Sequence, residues 1–282
     1  MTLRLALLLT LCVSALSGFA EEPATEMHSA TKLARRQAIE QLVQKTSAQI
    51  DSGQLQGREL AEAYRHRGIA YNYLLAYDKA LADFDRAIGL HQVDAGYYED
   101  RAIAHLKLRD FGAANRDLDM ALGLDTKRAS AYREKGRVAA YQGDFERAST
   151  EFLSAVRNSS GQAVVYGAMW LHIALSRAGR PQTEPLSSIK AQMNPGQWPY
   201  PIIQVFLREI SPDAALGAAA SPIPEDDLMR KCEAYFYIGE QYLIEGDAEQ
   251  ASAAFQAAVA TQVSDFLEFD WAARELERLE QR

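Results

Sequence analysis

Three arginines, Arg65, Arg133 and Arg137, carry the clearest recognition chemistry in this chain. A guanidinium group binds a carboxylate through two parallel hydrogen bonds, so arginines that share one face favour acidic groups of a ligand. Ile69 and Ile103 fall at comparable positions and offer apolar anchors for a peptide. The combination predicts a mixed wall that holds an extended or helical peptide, whereas the alternative for each side chain is a solvated helix face.

The predicted binding wall includes further side chains, chosen because they fall at positions comparable to those of the arginines and isoleucines. Its full set is Arg65, Ile69, Asn72, Glu99, Ile103, Arg133, Arg137 and Phe236. Phe236 is included as a candidate exposed aromatic anchor, although an aromatic residue at such a position is more often packed inside. This set is a prediction of which residues contact a partner, and it assigns no chemistry beyond binding.

Catalytic and metal-binding patterns do not emerge from the sequence. None of the five histidines pairs with another histidine, a cysteine or a glutamate at metal-ligand spacing. No glycine-rich phosphate loop follows a strand pattern, and no serine lies in a nucleophile-elbow pattern. We therefore predict no catalytic residue, no cofactor and no metal, and a protein that is not an enzyme.

The elements that position the wall are set by a 34-residue repeat. The same five columns recur three times without insertion, and a fourth copy follows after a gap. The columns hold Tyr64, Gly68, Ala80, Phe84 and Ala87; then Tyr98, Ala102, Ala114, Leu118 and Ala121; then Tyr132, Gly136, Ala148, Phe152 and Ala155; and finally Tyr235, Gly239, Ala251, Phe255 and Ala258, with Tyr242 in a further, sixth column. Period and residue types are those of the tetratricopeptide (TPR) unit, a helix–turn–helix that buries its apolar face by stacking.

Each column has a steric reason. Small residues at Gly68, Ala102 and Gly136 suit the close approach of the two helices of a unit, and Phe84 lies on the same helical face as Ala80. We therefore predict an all-α, right-handed TPR superhelical solenoid of antiparallel helix pairs with a degenerate middle segment. The wall residues fall on the first helix of each unit, at positions that face the concave groove.

The chain divides into five predicted regions. Residues 1–20 form a signal peptide, residues 21–57 an N-terminal segment with a capping helix, and residues 58–162 three contiguous TPR units. Residues 163–230 hold a degenerate helix, a proline-rich connector and short helices, and residues 231–282 a C-terminal TPR unit with a capping helix. Pro181 and four further prolines up to Pro201 exclude a continuous helix in the connector.

The first twenty residues and the overall charge indicate where the protein works. Arg4 precedes a short apolar run, and small residues stand before Glu21, which is the pattern of a secretory signal cleaved near Ala20. We therefore predict an exported, periplasmic protein that is soluble after cleavage. Thirty basic against 38 acidic residues give a net charge of −8, which argues against nucleic acid as a partner.

The C-terminal half carries a more specific likeness. Its motifs lie at residues 198–201, 206–212, 233–239, 246–247, 255–260, 266–269 and 273–279. In these it resembles the periplasmic TPR scaffold lipoproteins of enterobacteria and the unlipidated exported TPR proteins of other Gram-negative bacteria. The resemblance implies binding of cell-wall hydrolases or a protease, and it leaves homodimerisation open. The lipobox is missing because Leu11, a large residue, precedes Cys12.

Three functions compete at this point. The preferred one is a non-enzymatic periplasmic scaffold or adaptor that binds partner proteins or peptides through the concave TPR surface, with cell-envelope enzymes as candidate partners. The alternative is an accessory chaperone for envelope, pilus or secretion assembly, and a third is an enzyme with residues 181–201 as a lid. A carboxylate clamp is not predicted, because Ile69, Asp100, Ser130 and Glu134 replace the basic and amide residues that it needs.

Overall fold

A computed structural model describes residues 22–263 and 266–281, with side chains from Leu33 onward except Glu225. The predicted signal peptide, residues 1–20, lies outside the described residues. In the described part the chain forms fourteen helices and no strand. No helix there is both long and apolar enough to cross a bilayer.

The helices follow one another with short connections. Their bounds are α1 Glu22–Asp51, α2 Gly57–Tyr73, α3 Tyr77–Leu90, α4 Ala95–Lys107, α5 Phe111–Leu124, α6 Ala129–Tyr141, α7 Phe145–Asn158, α8 Gln162–Arg177, α9 Glu184–Lys190, α10 Tyr200–Phe206, α11 Pro212–Ala219, α12 Pro224–Glu245, α13 Ala248–Ala260 and α14 Leu267–Glu280. The pairs α2/α3, α4/α5, α6/α7 and α12/α13 pack most extensively, as antiparallel helix pairs of a stacked solenoid do.

The repeated columns build the contact inside each pair. A Cβ built on Gly136 would lie 2.7 Å from Cε1 of Phe152, and the equivalent distance from Gly239 to Phe255 is 2.5 Å. Real Cβ atoms do not approach that closely, so the aromatic ring requires a glycine opposite it. In the second unit Ala102 stands opposite the smaller Leu118, which leaves room for the methyl group.

Aspartates start several of the second helices. Asp110 Oδ1 accepts a hydrogen bond from the Ala113 amide at 2.9 Å, and Asp144 and Asp247 cap α7 and α13 in the same way. Asp78 does not, since Ala76 occupies the N-cap of α3 and Asp78 lies in its first turn. There its charge can act on the helix dipole without making a cap bond.

A second set of 34-residue columns, missed in the sequence, joins the units through ion pairs. Arg101 donates to Asp117 of its own unit at 2.6 Å and to Asp85 of the preceding unit at 2.6 Å. Lys135 repeats this geometry with Glu151 and Asp119, at 3.5 and 2.8 Å. In the first unit Arg67 donates to Asp83. No repeat unit precedes this one, and Ser47 of α1 accepts the hydrogen bond that a carboxylate of a preceding unit would accept. The columns are Arg67, Arg101 and Lys135; Asp83, Asp117 and Glu151; and Asp85 and Asp119.

The middle segment keeps part of the repeat. Trp170 of α8 takes the place of the small residue, and Leu186 of the short α9 lies where the large residue of the second helix belongs, fully buried. Ser211 caps α11 by accepting from the Ala214 amide at 3.2 Å. The predicted boundary between the region that ends at residue 230 and the C-terminal region that begins at residue 231 falls inside α12. This helix runs unbroken from Pro224 to Glu245.

Candidate functional site

The predicted wall lies on the first helices of the repeat units, which run side by side along the concave face. Ile69, Asn72 and Ile103 are partly exposed there. Whether these side chains contact a partner remains a prediction. The structure does define which of them are already engaged within the chain.

Arg65 is bound to the neighbouring unit. Its Nε donates to Asp100 Oδ2 at 2.5 Å, and its Nη1 lies 3.7 Å from Glu62 Oε2. Burial raises the pKa of Asp100 to about 6, although Arg65 opposes the shift. The guanidinium therefore holds two adjacent first helices together, and a partner carboxylate would have to compete with Asp100 for it.

Glu99 is also engaged. It is 8% exposed and accepts hydrogen bonds from Arg128 and from Ser130 Oγ, the latter at 2.9 Å. A buried carboxylate with two hydrogen-bond donors is satisfied. To bind a partner, Glu99 would have to give up its hydrogen bonds to Arg128 and Ser130, which costs free energy. Glu99 thus joins α4 to α6 in the way that Arg65 joins α2 to α4.

Arg133 and Arg137 converge on one carboxylate. Arg137 Nη1 donates to both carboxylate oxygens of Glu134 at 2.8 and 3.0 Å, and Arg133 Nε lies 3.6 Å from Oε1. Glu134 is 3% exposed. Reversing the charge of Arg137 would place two carboxylates together in a buried site, so it is a poor probe of binding alone.

Phe236 is not an exposed anchor, and that prediction is wrong. Its side chain is fully buried, with its ring centroid 5.5 Å from Trp170 and 6.2 Å from Phe255. In the degenerate unit that precedes Phe236 in the chain, Trp170 stands at the position where other units have a small residue that would leave the space open. The ring therefore fills the inter-helix space, as aromatic residues at such positions commonly do.

The main feature missed in the sequence is that α14 lies on the concave face. The Trp271 ring centroid is 4.0 Å from that of Tyr141 and 4.8 Å from that of Trp170. Arg278 Nη2 donates to the carbonyls of Ala140 and Tyr141 at 2.7 and 2.9 Å. These two residues end α6; the Ala140 carbonyl also accepts from the Gly143 amide at 3.0 Å, so the arginine chiefly satisfies the Tyr141 carbonyl.

Further polar contacts extend α14 along the face. Arg274 Nη2 donates to the Tyr141 carbonyl at 2.6 Å, and Lys107 at the end of α4 donates to Asp270. Trp271, Arg274 and Arg278 are spaced three and four residues apart and share one helical face. That stripe was the available signal, because a solvated end cap does not need an aromatic residue and two arginines on one side.

An open cleft lies at the N-terminal end of the solenoid. It lies between α1 and α2 and encloses about 830 Å³, with a smaller neighbouring cleft of about 340 Å³. Leu42, Leu55, Arg58, His66 and Ile69 contribute to its lining. Its walls are mostly apolar, with charged groups at the rim, which suits a peptide side chain better than a small polar substrate.

Two of the described histidines, His172 and His105, have structural surroundings. His172 is buried beside Phe206, with Nδ1 3.1 Å from the Gln182 carbonyl oxygen, and burial lowers its pKa. His105 Nε2 lies 3.8 Å from Asp117 Oδ2 within the ion-pair columns. Across residues 22–263 and 266–281, no three histidine, cysteine, aspartate or glutamate side chains are grouped as metal ligands.

Comparisons with known proteins concern the fold. No protein-family model matches the chain. A TPR protein from Parabacteroides merdae has a TM-score of 0.52 at 15% identity, covering 87% of this chain and 100% of that one. Pseudomonas aeruginosa pilF gives 0.48 at 14% identity, with coverages of 78% and 100%, and the Arabidopsis OM64 TPR domain gives 0.38 at 26%, with 41% and 96%. The first likeness confirms the predicted all-α TPR solenoid.

Proposed function

We propose that this chain is a non-enzymatic scaffold or adaptor that binds partner proteins or peptides through its concave face. The observation that carries this proposal is α14, which lies on that face in the same molecule. Trp271 is held by two aromatic rings and Arg278 by two backbone carbonyls. The concave face therefore has the shape and hydrogen-bonding groups to hold an amphipathic helix, which is one of the known modes of peptide recognition.

The part of the face available to a partner is the cleft between α1 and α2, together with the partly exposed Ile69 and Ile103. Because these helices are already packed in the solenoid, binding there needs little ordering of the protein itself. Transient contacts of this kind often bury no more than about 1,200 Å² in total. We therefore expect reversible binding of moderate affinity.

We place this binding in the periplasm, with cell-wall hydrolases or a protease as partners. The supporting observations are the signal pattern of residues 1–20 and the resemblance of residues 198–279 to exported TPR scaffolds. The net charge of −8 speaks against nucleic acid. A pilus or secretion chaperone remains the alternative function.

The test is affinity capture from a cell-envelope extract with two matched variants. Ile69→Gln/Ile103→Gln changes the open concave surface, and Met120→Gln changes a side chain on the second-helix side that is 50% exposed. Circular dichroism melts verify that all proteins are folded. We expect hydrolases or a protease to be captured, and at least a tenfold loss with the concave variant only.

Two outcomes would redirect the proposal. Capture that is equal for the concave variant and the Met120→Gln control would remove the concave face as the binding surface. Displacement of the captured protein by unfolded peptides would favour the chaperone function, because a scaffold for folded enzymes does not need to recognise unfolded chains.

A further inference from the structure

The contact between α12 and α14 contains four buried carboxyl groups. Glu233 and Glu240 belong to α12, and Glu268 and Glu275 belong to α14; none is more than 6% exposed. Ionised carboxylates are expensive to bury unless positive groups or several hydrogen-bond donors compensate for the lost water. The groups that surround these four therefore decide their protonation.

One half of the contact has cationic partners. Arg177 of α8 lies between the two helices, with Nη1 3.2 Å from Glu240 Oε2 and 2.9 Å from Glu275 Oε2. Arg278 also donates to Glu275. Two guanidinium groups here face two carboxyl groups, although burial and repulsion by Glu275 still raise the pKa of Glu240 to about 7, against the opposing effect of Arg177 and Arg278.

The other half has only neutral donors within hydrogen-bond distance. Glu233 accepts from Trp198 Nε1 and from the Tyr166 hydroxyl, which is 3.1 Å away. Glu268 Oε1 accepts from the Tyr237 hydroxyl at 3.2 Å. The remaining charged or titratable groups that face this half are Arg230 and Cys232 on α12 and Arg137 on α6.

The surroundings of this half favour a protonated carboxyl group while α14 is docked. Burial, followed by repulsion from Glu268, raises the pKa of Glu233 to about 7, and burial also raises the pKa of Glu268. A carboxyl group whose pKa is raised in the docked state favours docking below its ordinary pKa, near 4.5. That contribution is lost as the pH rises toward the docked value, because ionisation then favours separation of the helices.

We propose that α14 is a proton-dependent latch over the concave face: it is closed while the Glu233–Glu268 pair holds a proton, and it opens when both carboxyl groups ionise. Opening removes Trp271 from the slot formed by Tyr141 and Trp170. It also frees the carbonyls at the end of α6. The slot then accepts a partner helix that carries an aromatic residue and a basic residue on one face, an inference that rests on the proposed binding function.

Hydrogen–deuterium exchange of the full-length chain between pH 5 and 7.5 tests the latch without any partner. After correction for intrinsic exchange, the opening constant of α14 is expected to rise by at least about tenfold, since each ionising carboxyl group adds up to about tenfold per pH unit. Amides of α5, which belongs to the second unit and carries none of the four carboxyl groups, serve as the internal reference.

Two variants assign the effect to the carboxyl groups. Glu233→Gln/Glu268→Gln keeps neutral acceptors for the tyrosine and tryptophan donors, so the pH dependence of α14 should become shallower, and the part that remains belongs to Glu240. Glu233→Gln alone is the milder version if the double variant does not fold. Glu249→Gln, which changes an exposed residue of α13, should leave the dependence unchanged.

The latch is overturned by exchange of α14 that does not change with pH, or by a pH dependence that is as steep in Glu233→Gln/Glu268→Gln (or in Glu233→Gln, if only that variant folds) as in the unmodified chain. It is also overturned if α8 and α12 open in parallel with α14, because the fold and not the latch would then be responding. These outcomes are independent of partner capture, so failure of the latch leaves concave-face binding untouched.

Discussion

Replacing Gly136 by alanine tests whether the glycine–phenylalanine contact holds the third unit together. A Cβ at this position would lie 2.7 Å from Cε1 and 2.8 Å from Cδ1 of Phe152, which is fully buried and cannot move without displacing its neighbours. Overpacking of this kind costs about 1–3 kcal/mol. The helix itself gains about 0.5–1 kcal/mol when glycine becomes alanine. We therefore expect a net loss of up to about 2.5 kcal/mol in the free energy of unfolding.

The second unit indicates how to compensate for this loss. There Ala102 faces Leu118, so Gly136→Ala/Phe152→Leu converts the third unit to a pair that the protein already uses. Phe152→Leu alone should cost about 1–2 kcal/mol, less than the roughly 3–5 kcal/mol of truncating phenylalanine to alanine. Because the smaller side chain makes room for the methyl group, the double variant should be more stable than the sum of the single effects predicts, by a coupling energy of about 1 kcal/mol.

Urea denaturation followed by circular dichroism measures these differences, provided that unfolding is two-state for each variant. Gly89→Ala is the matched control, because a Cβ at this exposed helical position meets no atom within 4 Å. It should be neutral or stabilising by up to about 1 kcal/mol. If Gly136→Ala stabilised the protein as Gly89→Ala does, and the coupling energy were zero, the steric reasoning would be refuted.

Two further predictions concern buried groups. Asp117→Ala should cost about 1–3 kcal/mol in denaturation experiments, because it removes both hydrogen bonds from Arg101 to a carboxylate that is 5% exposed. Asp119→Ala, at a side chain that is 63% exposed, should cost less than about 1 kcal/mol, and equal losses would contradict the role of the ion-pair columns. Cys232 is fully buried, and burial raises its pKa to about 12. In a Cys12→Ser background it should therefore not react with a thiol reagent until the chain is denatured, and rapid labelling of the native protein would be the contrary result.

The repeat columns made the solenoid predictable, because their residues act through size. Gly68, Ala102 and Gly136 are small wherever a large residue stands opposite, and that relation repeats within a window of 34 residues. The ion-pair columns have the same period. They were harder to recognise because Lys135 and Glu151 replace the Arg and Asp of the earlier units, and the pairing crosses between helices 16 residues apart.

The position of α14 was not predictable from such local patterns. Arg278 bonds to the Ala140 carbonyl across 138 residues of sequence, and Lys107 to Asp270 across 163. Sequence periodicity defines the two faces of a helix but does not say which distant surface covers its apolar face. The same limitation explains Phe236, whose burial depends on the non-repeating Trp170 beside it.

The ion-pair columns have a consequence for how such a chain can change in length. Arg101 bonds to one carboxylate 16 residues before it and to another 16 residues after it, and Lys135 does the same. Deleting or duplicating one whole unit would bring an equivalent cation and carboxylate back into register at the new junction. Loss of one or two residues would instead break the pairing on both sides. The ion pairs are thus compatible with the gain or loss of complete 34-residue units, whereas an insertion or deletion of any other length would break them and destabilise the junction.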